Sequence, residues 1–132
     1  MIFSRDEMPT FRLDDKEFPM WCDLVVLEKI QNEVGDIVVA EDKLRGFIPR
    51  VDADGVIDRT DGTFTIPDIG LVTKVLHWCL EEGRAVSGEE FDIPSVTDLK
   101  QQEEYSITAL SMIVHKEFSD CVSGKKKRKK KS

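Results

Sequence analysis

Four aspartates around one glycine, in the stretch RVDADGVIDRTDG (residues 50–62), are spaced as though to hold a metal ion. Carboxylates interleaved with a glycine that permits a sharp turn are what a calcium loop of the EF-hand type requires, in the pattern D-x-[DN]-x-[DN]-G-x-[ILV]-x-x-x-E. With Gly55 in the sixth position, Asp52 falls third, Asp54 fifth, Ile57 eighth and Asp58 ninth, all in agreement. The first position, however, is Arg50, a cation where the loop needs an anionic ligand, and the twelfth is Asp61, one methylene short of the bidentate glutamate. Gly46 and Pro49 spoil an entering helix, and Thr63 to Ile66 reads as a strand where the exiting helix should begin. The expectation is an acidic surface loop ahead of a strand, with no metal and no cofactor.

His77 and Cys79, with His115, Cys22 and Cys121 elsewhere, supply the residue types of a zinc site. Side chains two apart on a helix point about 200° away from each other, so His77 and Cys79 do not share one ion if their segment is helical. A surface histidine and a core cysteine are expected instead. Three widely spaced cysteines without a CxxC pair imply neither a disulfide framework nor a zinc ribbon, and reduced, mostly buried thiols are expected. No GxSxG, HExxH, P-loop or GxGxxG occurs, so the chain reads as a non-enzyme with no catalytic residues to assign.

The other concentrated chemistry is the run Lys125, Lys126, Lys127, Arg128, Lys129, Lys130 and Lys131, which holds 7 of the 19 basic residues. Taking those positive charges from the net −7 of the chain leaves −14 on residues 1–124. The folded part should therefore repel nucleic-acid phosphates, whereas the run would attract them. Consecutive cations repel one another and bury nothing, so residues 123–132 are expected to be a disordered tail. Its expected role is nuclear import, because no aromatic residue accompanies it to stack on bases. The chain is thus expected in nucleus and cytoplasm. The start, MIFSRDEMPTF, carries Arg5, Asp6 and Glu7 where a signal peptide would be apolar, and no apolar run reaches the roughly 18 residues of a membrane span.

With 132 residues, 40% hydrophobic and 34% charged, the sequence suits one compact domain with a modest core. TFRLDDKEF reads as two short strands around a polar turn, Phe11 and Leu13 alternating with Thr10 and Arg12 before the chain turns towards Phe18 and Met20. DLVVLEKIQNEVG predicts a helix capped by Asp23, with Leu27, Ile30 and Val34 on one face and Gly35 at its end. DIVVAEDKLRGFIPR, containing Gly46 and Pro49, is expected to be irregular. GTFTIPDI alternates again, with Phe64 and Ile66 on one side and Pro67 closing the strand. LVTKVLHWCLEEG predicts a core helix over 71–83 with Gly83 as its stop. A polar connector leads through Asp92 to Pro94, and EEYSITALSMIVHKEF predicts a last amphipathic helix with Ile107, Leu110, Val114 and Phe118 in line. This order is α+β: a short hairpin and a small sheet packed against several helices.

FTIPDIGLVTKVLHWCLEEG (Phe64 to Gly83), a short strand ending in I-P and followed by an aliphatic helix that runs into a W-C dipeptide, resembles the POZ (BTB) domain of the S-phase-kinase-associated (Skp) adaptors. The opening hairpin, the first helix, the acidic loop before the strand and the DIP at Asp92 to Pro94 fall in the same order. The resemblance covers roughly residues 9–122 and is specific over Phe64 to Pro94; it implies a Skp-like POZ domain over residues 1–122. It also implies an adaptor that docks on cullin in an SCF ubiquitin ligase and contributes to ubiquitin-dependent protein degradation, with Tyr105 and Ile107 corresponding to the cullin-packing segment. The helices that carry most of the family's F-box grip have no counterpart between Val122 and the lysines, so the resemblance implies the cullin-facing half rather than the F-box-facing half. Independently of the family, Leu110, Val114 and Phe118 form a stripe that either closes the core or faces a partner. A second reading is a POZ-type self-association module of a nuclear regulator, a homodimer whose basic tail contacts nucleic acid.

Overall fold

The structure is a computed structural model and describes residues 8–124. Its order is β1 (Thr10–Leu13), β2 (Lys16–Pro19), α1 (Leu24–Val34), α2 (Ile37–Arg45), β3 (Phe47–Val51), β4 (Ile57–Phe64), α3 (Ile69–Ser87), α4 (Val96–Gln101) and α5 (Ile107–Val122). The class is α+β: five helices and two separate antiparallel two-stranded sheets, β1–β2 and β3–β4.

The first hairpin forms as its alternation predicts. Phe11 pairs with Phe18 across the strands, and Phe11, Leu13 and Phe18 all turn into the core. Asp14 and Asp15 make the turn at φ 52 and 63, the left-handed region that aspartate tolerates better than most side chains. In α1 the Asp23 carboxylate accepts from the amides of Val25 and Val26, satisfying donors that a helix start leaves open. Gly35, at φ 93, ends the helix by donating its N–H to Gln31 O at 2.7 Å.

The stretch expected to be irregular is instead helix α2 followed by strand β3. Asp36 repeats the device of Asp23, its carboxylate accepting from Val38 and Val39, and Gly46 stops the helix in the left-handed conformation at φ 68. Gly46 breaks one element and begins the next: its carbonyl accepts from Thr65 N, and a Cβ on it would strike the Thr65 carbonyl. Pro49 fits within β3 because a two-stranded hairpin has only edge strands and its register breaks beside that residue.

Helix α3 forms the centre of the molecule. It starts two residues earlier than its pattern suggests, capped by Asp68, and runs through Gly83 to Gly88, which takes the left-handed cap at φ 73. Gly83 is therefore a packing residue and not a stop: a Cβ there would collide with the Pro19 carbonyl at the end of β2. Leu71, Val72, Val75, Leu76, Cys79 and Leu80 are buried against β2, α1, α4 and α5. Burying each such side chain is worth about 1.5–3 kcal/mol, so this face supplies a large part of the apolar stabilisation. Cys22 is buried as well, and Cys121 half-buried.

Helix α4 was not anticipated. Ser95 and Asp98 form a reciprocal capping box, each accepting the other's amide N–H at 3.0 Å, and this short helix seals the core with Leu99. α5 begins at Ile107 behind Ser106, whose hydroxyl accepts from Ala109 N. Ser111 ties it to α2 by donating to the Leu44 carbonyl. No helix among the described residues is long and apolar enough to cross a membrane.

Candidate functional site

The aspartate-rich stretch is a hairpin turn with its carboxylates directed to separate local tasks. Asp52 Oδ1 accepts from the amides of both Asp54 and Val56 at 2.9 Å, pinning the turn, and Gly55 takes φ 79 within it. Arg50 and Asp61 form an ion pair at 3.2 Å. Thr60 donates its hydroxyl and its amide to Asp58, and these bonds hold the Asp58 carboxyl below the usual carboxylate range. The expected loop ahead of a strand is thus mostly strand: Arg50 and Val51 belong to β3, and Ile57 onward to β4. Among the described residues no three or more His, Cys, Asp or Glu side chains converge as metal ligands would.

His77 is half-buried and not a plain surface residue; its Nδ1 donates to the Pro94 carbonyl at 2.8 Å, fixing the connector before α4. Cys79, two positions on, is in the core. A proton-sharing pair lies at the start of α1: burial, then the hydrogen bond and charge of Asp23, push the Glu82 carboxyl up to about 7, against the opposing pull of Lys29.

Of the five residues expected to meet a partner, three are corrected by their packing. Leu110, Val114 and Phe118 are buried at 2%, 1% and 1% exposure, because α2 and α3 cover the stripe they form. Tyr105 and Ile107 are half-buried. The Tyr105 ring packs on Phe11 at 5.3 Å and its hydroxyl donates to the Arg12 carbonyl at 2.7 Å, so this side chain fastens the start of α5 to β1. The lysine run at 125–131 lies outside the described residues.

Among the described residues, apolar side chains are exposed on the other side of α5. Met112, two positions from Leu110 and so about 200° round the helix, is 69% exposed. It shares a groove of about 440 Å³ with Arg45, Phe64, Thr65, Pro67 and His115. Phe64 and Ile66, expected on one side of a strand closed by Pro67, are 67% and 69% exposed; β4 ends already at Phe64, and all of it faces solvent. Phe64 stacks on Phe47 at 5.2 Å, and the Arg45 guanidinium lies over both rings, 5.1 Å from Phe47 and 5.7 Å from Phe64.

Compared with protein-family models, with curated proteins and with solved structures, the chain finds no match in any of the three. Thr108 and Ser111 complete the lining, and the Ser111 hydroxyl is engaged with the Leu44 carbonyl; an apolar trough rimmed by a guanidinium is a surface able to take side chains from another macromolecule.

Signals for this site existed in the sequence. Met112 is apolar but out of register with the buried stripe of α5, which marks an outward apolar residue. Arg45 sits in the last turn of α2, where a cation suits the helix dipole, so nothing distinguished it from an ordinary cap.

Proposed function

We propose that this chain is a non-enzymatic protein–protein adaptor of the Skp-like POZ type that docks on a cullin scaffold and contributes to ubiquitin-dependent protein degradation in nucleus and cytoplasm. The observation that carries the reading is the exposed Met112–Phe64 groove beside a sealed core: the side chains that hold the fold together are used up inside, and a separate apolar surface is left on α5 and β4. Its support from the sequence is the FTIPDIGLVTKVLHWC segment, in which Pro67 and Asp68 lead into the central helix and Trp78-Cys79 falls within it.

A POZ-type self-association module is the second reading, favoured by the solvent exposure of the whole of β4. Calorimetric titration of the chain with a cullin N-terminal domain, followed by an F-box segment, separates the two. Saturable heat with cullin and none with the F-box segment supports the adaptor reading; no heat with either removes it in favour of self-association.

A further inference from the structure

The hairpin β3–β4 carries opposite chemistry at its two ends. At its base, where Phe47 pairs with Phe64, lies the groove with Arg45 on its rim. Among the described arginines, Arg12, Arg50 and Arg59 pair with carboxylates and Arg84 donates to the Phe91 carbonyl. Arg45 alone rests on aromatic rings and makes no ion pair among the described residues, in a protein rich in carboxylates. At the tip, Val51, Val56 and Ile57 are 58%, 60% and 52% exposed around the Asp52 turn, and Asp54 is exposed there with no ion pair among the described residues. The tip thus offers what the base lacks: apolar side chains flanked by a carboxylate.

The tip cannot enter its own groove. From the Phe47–Phe64 pair to the Val51–Ile57 pair is four strand residues, or about 13 Å of rigid hairpin. Two copies with their hairpins laid antiparallel bring each tip to the other's base, and a two-fold axis repeats the contact, closing the assembly at two. A continuous sheet across the axis is not needed and is disfavoured, because the register jumps from Pro49–Gly62 to Arg50–Asp58 and leaves residues 59–61 as a bulge.

We propose that the chain self-associates as a two-fold dimer in which the Val51–Ile57 tip of each copy seats in the Arg45–Phe64–Met112 groove of the other, Asp54 meeting Arg45. The inference does not depend on the adaptor reading; if both hold, the dimer hides the groove that a scaffold would use, and self-association and docking compete.

Sedimentation velocity of the full chain over about 1–300 μM tests it, a range suited to an interface of modest area. The expected result is a concentration-dependent shift to dimer, weakened at least tenfold by Arg45→Glu and by Asp54→Arg separately. The double variant, with the charges exchanged, should recover to within about threefold of the original. Met112→Asp, at a solvent-exposed position, should abolish the dimer while leaving the circular dichroism spectrum unchanged. A monomer throughout the range overturns the proposal. So does association that ignores both single reversals, as contacts between the lysine run and the acidic domain would, or a double variant that stays as weak as the singles. Because only this chain is present, failure here leaves the cullin titration as a separate test.

Discussion

The two hairpins share a form and little else. Both are antiparallel and two-stranded, and both are closed by aspartate-rich turns. β1–β2 drives Phe11, Leu13 and Phe18 into the core, is met by Gly83 of α3 at Pro19, and is held by Tyr105 at Arg12. β3–β4 turns no residue of β4 inward and joins the rest of the fold through Gly46 and Thr65 at its base and through the ion pair of Arg59, in the bulge of β4, with Asp42. An isolated two-stranded hairpin is marginal in water. The first survives by packing, whereas the second spends its apolar side chains on an exposed surface. In this molecule one hairpin belongs to the core, and the other is the surface proposed here for recognition.

The sharpest way to break that comparison is to truncate one phenylalanine in each. Phe11→Ala should cost about 3–5 kcal/mol, as large core truncations do, while Phe64→Ala should cost under about 1 kcal/mol. Urea denaturation measures both, and similar losses would erase the distinction. Next in size is Gly83→Ala, where the new methyl group strikes the β2 backbone; about 1–3 kcal/mol is expected, read from the same transition.

A smaller effect sharpens the core side. Burial and then the neighbouring Asp23 push the Glu82 carboxyl up to about 7 in the folded chain, above its ordinary value of 4.5. Between those values the folded state keeps a proton that the unfolded state has lost, so the stabilisation is complete below the unfolded value and fades as pH rises through about 7. Screened by solvent at a half-exposed site, the change should be about 1 kcal/mol, and Glu82→Gln should flatten the pH profile of the urea midpoint between pH 5 and 8 as an order-of-magnitude expectation. Smallest of all, Asp52→Ala should release the amides of Asp54 and Val56, quickening their hydrogen exchange while global stability changes by less than about 0.5 kcal/mol.

The legible parts of the fold were those written locally. Asp23 and Gly35 bracket a helix within a dozen residues, and the stripe on α5 repeats at helical spacing, so both could be read from sequence. What failed depended on distant atoms. Asp36 is as good a cap as Asp23, but Gly46 and Pro49 just beyond it looked like breakers of the same segment, when they belong to the boundary and to an edge strand. Gly83 resembled a helix stop because nothing nearby in sequence announced that Pro19 would press against it. The same limit governed the site. Periodicity placed Leu110, Val114 and Phe118 on one face, but whether α2 and α3 or a partner would cover that face is a tertiary fact. Phe64 and Ile66 alternate as strand residues do, yet among the described residues no second layer covers them.

On the reading proposed here, the outward side of α5 with the end of β4 serves docking and contributes little to the fold. The most direct test is a side-by-side calorimetric titration of the original chain and Met112→Glu against a cullin N-terminal domain, with urea midpoints measured on the same samples. Equal midpoints, saturable heat for the original chain and loss of that heat in the variant are expected. Heat that survives Met112→Glu unchanged, or a variant that loses its fold together with its binding, would contradict that reading.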